Sequence, residues 1–171
     1  MTRIGQIINK KIEFGNINSW IDFGTGNGNV VKSLKWNEIV EKKIAIDKFP
    51  QEIGDGWEHV DSLEELLSSN WDLFTSFDSI EHLKKTDGIF LLKQINAVFK
   101  YKLFVTPRGF LRQDETTHPE LIKQNPWQKH LSGWEINDFK NYGYKVETVS
   151  DFHTPAGLNK KFDALIAYKI D

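Results

Sequence analysis

Apolar residues enter this chain first as a stripe and then as a succession of compact runs. Ile4, Ile7, Ile8 and Ile12 recur at helical spacing with Lys10 and Lys11 off the stripe, which predicts a short amphipathic helix within residues 3–17, packed on the domain's edge. Trp20, Ile21 and Phe23 predict a buried strand, and Val30, Val31 and Leu34 then open a helix over 28–36. Further strands are expected at 43–47, 57–61, 71–77 and 100–105, the last stopped by Pro107, which cannot continue a central strand. Helices are expected at 63–67, capped by Asp61 or Ser62, and in the apolar run to Phe99, with Gly88 marking its start or a break. A last helix at 135–142 takes Ser132 as its cap with Glu135 at N3, and Gly143 closes it. Residues 144–152 and 162–168 read as two closing antiparallel strands, joined by a loop at 154–159.

Between the first strand and its helix stand Gly24, Gly26 and Gly28, three glycines at alternate positions. Such a bend exposes bare backbone N–H groups at a positive helix end, and no Cβ keeps a ligand away. The nicotinamide fingerprint wants a glycine or alanine where Asn29 stands, and no Tyr-x-x-x-Lys pair supports an oxidoreductase. No Gly-Lys-Ser/Thr follows the glycines, so a Walker A loop is excluded. Asp22 precedes the bend, and Asp47 ends the second strand about twenty residues on, where a βαβ nucleotide fold places a ribose-binding carboxylate. Its two oxygens can accept from the 2′- and 3′-hydroxyls together.

Residues 108–133, with His118, Pro119, Pro126, Trp127 and His130, are too long for a plain connection. Their position after the fifth strand predicts a substrate lid over the site. The 171 residues suit one domain, 1–171, able to bury about two-thirds of its extended surface. Twenty-two basic against 24 acidic residues leave the chain near neutrality, which argues against a nucleic-acid partner. Without cysteine there is no disulfide, thiolate–zinc site or cysteine nucleophile. No apolar run has membrane-spanning length and the N-terminus lacks an apolar signal core, so a cytoplasmic protein without membrane insertion is expected.

The acid-x-Gly-x-Gly-x-Gly pattern from Asp22 to Gly28 resembles motif I of the class I S-adenosylmethionine (SAM)-dependent methyltransferases. The Asp78-to-Leu83 stretch with its Glu81-His82 pair, Thr106-Pro107, and the His130-to-Trp134 phrase are similar to the small-molecule and glycan members. The resemblance implies a Rossmann-like, doubly wound α/β fold: a seven-stranded, mostly parallel sheet in three αβα layers, ending in an antiparallel pair. It further implies SAM as cofactor, held by Gly24, Thr25, Gly26 and Gly28. Asp22 would place the ammonium and Asp47 the ribose, with Lys48 and Phe49 flanking the adenine. Asp61 would accept from the adenine amino group with Ser62 beside it, and Phe77 and Asp78 would lie at the switch point toward which the methyl projects.

For a hydroxyl acceptor, His130 and His82 are the candidate bases and Glu81 their orienting carboxylate; no metal ligands are assigned. The Asn/Asp-Pro-Pro-aromatic signature of nucleic-acid amino-methyltransferases is missing after the fourth strand. The expected activity is methyl transfer to oxygen or nitrogen of a small-molecule, sugar or lipid acceptor. The alternative is a SAM-binding module without catalysis, or a subunit of a methyltransferase complex.

Overall fold

The computed structural model describes residues 1–49, 53–154 and 161–171. Strands β1 (Ser19–Phe23), β2 (Lys42–Ile46), β3 (Trp57–Val60), β4 (Trp71–Phe77) and β5 (Phe99–Pro107) pair in parallel. Two further strands, β6 (Lys145–His153) and β7 (Phe162–Ile170), pair with each other antiparallel, and β7 also pairs antiparallel with β5. The sheet order is β3-β2-β1-β4-β5-β7-β6, a seven-stranded, mostly parallel sheet with a closing antiparallel pair, as the resemblance implies in outline. The winding reverses between β1 and β4, and a doubly wound sheet binds ligands beyond the carboxyl ends of its strands there. The expected loop between the last two strands falls largely on 155–160, outside the described residues.

Alternate side chains on each central strand enter opposite cores, which is why the strands read as continuous apolar runs. Ile21, Phe74, Phe104 and Leu165 pack under α2 (Lys85–Val98) and α4 (Ile136–Lys140) with Trp134. Trp20, Leu73, Leu103 and Ile166 pack on the other side with Ile4, Ile8 and Ile12, from α1 (Arg3–Lys11) and the residue that caps it. Thr2 caps α1, its hydroxyl accepting from the Gly5 N–H at 3.1 Å. A short helix, α3 (Pro119–Gln124), lies within the irregular segment after β5.

Four local expectations are corrected. Residues 28–36 form no α-helix but two 3-10 turns, Val31–Ser33 and Lys35–Glu38, with Leu34 extended between them. Asn9 of α1 explains the break: its amide donates to the Ser33 carbonyl (2.9 Å) and accepts from the Lys35 N–H (2.9 Å), taking backbone groups a helix would use. Residues 64–68 likewise form only a 3-10 turn, where the Ser62 hydroxyl accepts from the Glu64 N–H at 3.2 Å. Helix α2 begins at Lys85, so Gly88 lies inside it; a Cβ there would stand 2.5 Å from Trp134 Cζ2. Finally, Glu135 and not Ser132 caps α4, in a capping box with Asp138. The Ser132 hydroxyl is taken by the Trp134 indole N–H at 2.9 Å. Gly143, at φ +85°, closes this helix as expected, with the Tyr144 N–H bonded to the Phe139 carbonyl and its own N–H to that of Lys140.

Candidate active site

The glycine bend sits at the carboxyl end of β1. Gly24, Gly26 and Gly28 have φ of +75°, +54° and +72°, a left-handed backbone open to glycine and costly for other residues. A Cβ on Gly24 would stand 2.1 Å from Ser79 Oγ, so the first glycine lets the β4 loop close on the bend, where the Ser79 hydroxyl donates to the Gly24 carbonyl at 3.0 Å. Around Gly26 nothing lies within 4 Å of a Cβ position; that glycine faces open space. Its N–H donates to Asp47 Oδ2 at 2.7 Å, while Asp47 Oδ1 accepts from the Phe49 N–H, also at 2.7 Å. Asp47 therefore braces the bend against the end of β2, and each of its oxygens keeps a further lone pair.

Asp22 lies beneath, 1% exposed. The Thr75 hydroxyl donates to its carboxylate and accepts from the Trp20 indole N–H at 2.7 Å, while Thr25 Oγ1 donates to the Asp22 carbonyl at 2.9 Å. Burial pushes the Asp22 carboxyl up to about 7 against the pull of these hydrogen bonds, and the Asp47 charge adds to the rise. Lys48 Nζ donates to the Asp61 carbonyl at 3.1 Å, while the Asp61 carboxylate is exposed. Phe77 puts its ring into the core on the α1 side. Asp78 adopts φ +46° just beyond β4, its N–H bonded to the Val105 carbonyl at 2.8 Å.

The candidate catalytic residues come together. Ligand-capable atoms of Glu81, His82 and His130 all lie within 4.8 Å of one another. The two imidazoles meet edge to face, centroids 4.7 Å apart. His82 Nδ1 bonds the Lys129 carbonyl (3.1 Å) and His130 Nδ1 the Leu111 carbonyl (2.6 Å). Carbonyls only accept, so each Nδ1 carries the proton, and in the neutral ring each Nε2 is left with a free lone pair. Burial holds both rings below the usual imidazole range; for His130, with the field of His82 added, the value is about 4. Glu81 is 2% exposed; Thr106 Oγ1 donates to its Oε2 at 2.9 Å, and its Oε1 is buried with no partner among the described residues. Burial first and the nearby Asp78 charge second lift this carboxyl well above the usual range. The Glu81 main chain is engaged as well, its carbonyl accepting from Leu131 N (2.8 Å) and Ser132 N (3.0 Å).

No protein-family model matches the chain, and no curated protein matches it. Solved structures do. The small RNA methyltransferase HEN1 superimposes with a TM-score of 0.62 at 14% identity, over 99% of this chain and 25% of that one. The N-terminal domain of EvdMO1, solved with SAH bound, gives 0.58 at 11% identity over 91% and 75% of the two chains. The YcgJ protein of Bacillus subtilis gives 0.59 at 10% identity over 97% of each. The fold is that of the class I methyltransferases. The present chain spans a quarter of the HEN1 chain and 57% of an O-methyltransferase family protein from Burkholderia thailandensis.

Within this methyltransferase fold the site residues reach one sheet edge from β1, β2, β4 and the segment after β5. Three residues at this end of the sheet are not singled out by the sequence: Ser79, Thr106, and His153, whose Nε2 lies 3.5 Å from Asp78 Oδ1. Ser79 lies inside the Asp78-to-Leu83 motif, Thr106 stands in the Thr106-Pro107 pair, and His153 ends β6. For Ser79 and Thr106 the hint was their place at strand ends on the ligand side of the sheet. His153 gave no signal, being a lone histidine in a strand pattern.

Proposed function

We propose that this chain is a SAM-dependent methyltransferase that transfers the methyl group to a hydroxyl of its acceptor. Glu81, His82 and His130 would hold a divalent cation beside that hydroxyl. The bend at 24–28 would take the amino-acid end of SAM, whose ammonium calls for a carboxylate as well as N–H donors, and Asp22 supplies one. Asp47 would bind the ribose through the lone pairs that Gly26 and Phe49 leave free. The segment 108–133 would cover the acceptor.

One observation carries the reading of the polar trio: a buried, unpartnered Glu81 oxygen faces two imidazoles whose Nδ1 protons are fixed on backbone carbonyls. An orphan buried acceptor costs about 1–3 kcal/mol, and a cation satisfies it together with both Nε2 lone pairs. Second-shell carbonyls orient metal-binding histidines in this way. The alternative use of His130, as a general base, is less favoured because burial lowers the basicity of its ring. Two imidazoles and a carboxylate suit a first-row divalent ion such as zinc, manganese or iron. Bound there, such an ion would lower the acceptor hydroxyl's pKa as a Lewis acid. SAM brings an already activated methyl, so the chain's own task is to align the nucleophile and exclude water.

The test pairs calorimetry of SAM and SAH binding with transfer of labelled methyl to sugars, small alcohols, lipids and short RNAs, with Mn²⁺ and with EDTA. RNA belongs in the panel because HEN1 is by description a small RNA methyltransferase, although the near-neutral charge favours small acceptors. SAM binding without transfer to any acceptor favours a binding module, and no SAM binding ends the assignment.

A further inference from the structure

We propose that His153 and Asp78 form an acceptor-binding pair that receives a neutral hydroxyl of the acceptor, distinct from the hydroxyl that is methylated. The pair joins distant parts of the sheet. Asp78 follows β4 and His153 ends β6, with β5 and β7 between those strands, yet His153 Nε2 lies 3.5 Å from Asp78 Oδ1. That separation is too long, or too poorly directed, for a hydrogen bond, and Nε2 is buried with no partner among the described residues.

Both members stand at or beside an unusual backbone position. Asp78 itself has φ +46°, and Asp151, two residues before His153, has φ +53°. These are two of the three non-glycine residues in the left-handed region among the described residues. Asp151 lies where the β6–β7 register shifts between Val149 and His153, a bulge of the kind that re-aims a side chain beside a functional site. Aspartate tolerates this region better than most side chains, and both left-handed residues fall within or beside the pair. The pair also borders the trio described above, since Asp78 lies three residues before Glu81 and its charge acts on that carboxyl.

The chemistry of the pair selects its ligand. A carboxylate oxygen accepts, and an imidazole N–H facing it donates. A hydroxyl lodged beside the two satisfies both, giving its hydrogen to Asp78 and accepting from His153. An ammonium cannot accept the imidazole hydrogen, and a carboxylate would be repelled by Asp78. The acceptor therefore carries at least one hydroxyl beyond the reacting one, which favours polyols and sugars over simple amines or monoalcohols. This inference rests on the site being the methyl-transfer pocket.

The test uses the whole chain, labelled with ¹³C at histidine Cε1 and saturated with SAH. Methyl glycosides and nucleosides are titrated alongside their deoxy and amino counterparts. The His153 signal is identified as the one lost in His153→Phe. It should shift with the hydroxylated probes and not with the deoxy or amino ones, and Asp78→Asn should weaken the response by about 10–100-fold. In labelled-methyl transfer to the same probes, His153→Phe should raise the acceptor KM with kcat and SAH affinity held, and His153→Gln should recover part of the loss. A His153 signal indifferent to every probe, or shifting equally with the deoxy compounds, overturns the pair. So does a loss of SAH affinity in His153→Phe and His153→Gln alike. A wild-type chain that ignores SAH but still answers hydroxylated probes at His153 would refute the methyltransferase reading and leave the pair standing.

Discussion

The His82 ring meets the His130 ring edge to face at 4.7 Å, with the planes at 72°, although 47 residues separate the two along the chain. This approach leaves two Nε2 lone pairs next to a buried carboxylate. Zinc or manganese titrated into the apo chain should bind, and His82→Ala or His130→Ala should weaken that binding by at least about 10–100-fold. SAM affinity should stay within a factor of about two, while methyl transfer falls. Equal loss of SAM and metal binding would mean that the histidines hold up the fold and not a cation.

Asp47 ties the bend to β2 through the Gly26 N–H and has lone pairs left for a ligand. Calorimetry of Asp47→Ala should register SAM binding weaker by about 1–3 kcal/mol, the cost of losing a charged hydrogen-bond partner. Unchanged affinity removes Asp47 from the ribose site.

Asp22 gives a pH signature. Its ordinary value is 3.8, and in the folded chain it stands at about 7, so between these values the folded state keeps a proton that the unfolded chain has released. Its contribution to stability therefore declines as pH rises from about 4 to 7 and levels off above that. Asp22→Asn cannot titrate. Its stability relative to wild type should rise by on the order of 2 kcal/mol between pH 5 and 7 in urea unfolding. A gap constant with pH contradicts the burial argument.

Gly88 meets the Trp134 ring where another residue would carry its Cβ. Gly88→Ala gains helix propensity on paper but should lose about 1–3 kcal/mol through overpacking. A more stable Ala variant would mean that the ring has room to move.

The strands were legible because both faces of the sheet are buried and each strand reads as an apolar run. The bend was legible because its three glycines fall within five consecutive residues. Features made by distant residues were hidden. Asn9, from α1, dissolves the expected helix at 28–36, and the Trp134 indole takes the Ser132 hydroxyl that the sequence offers as a cap for α4. The sequence points to bases and an orienting carboxylate at the trio, but its fitness for a cation depends on which ring nitrogen each backbone carbonyl takes. His153 owes its place to a bulge that no local pattern announces.

Glu81 faces two ways: its side chain belongs to the polar trio, and its carbonyl holds the amides of Leu131 and Ser132. One residue is thus both seat and latch. A group held by that carboxylate would pull on the same residue that fastens Leu131 and Ser132, so filling the site and holding this segment down would be linked without a separate hinge.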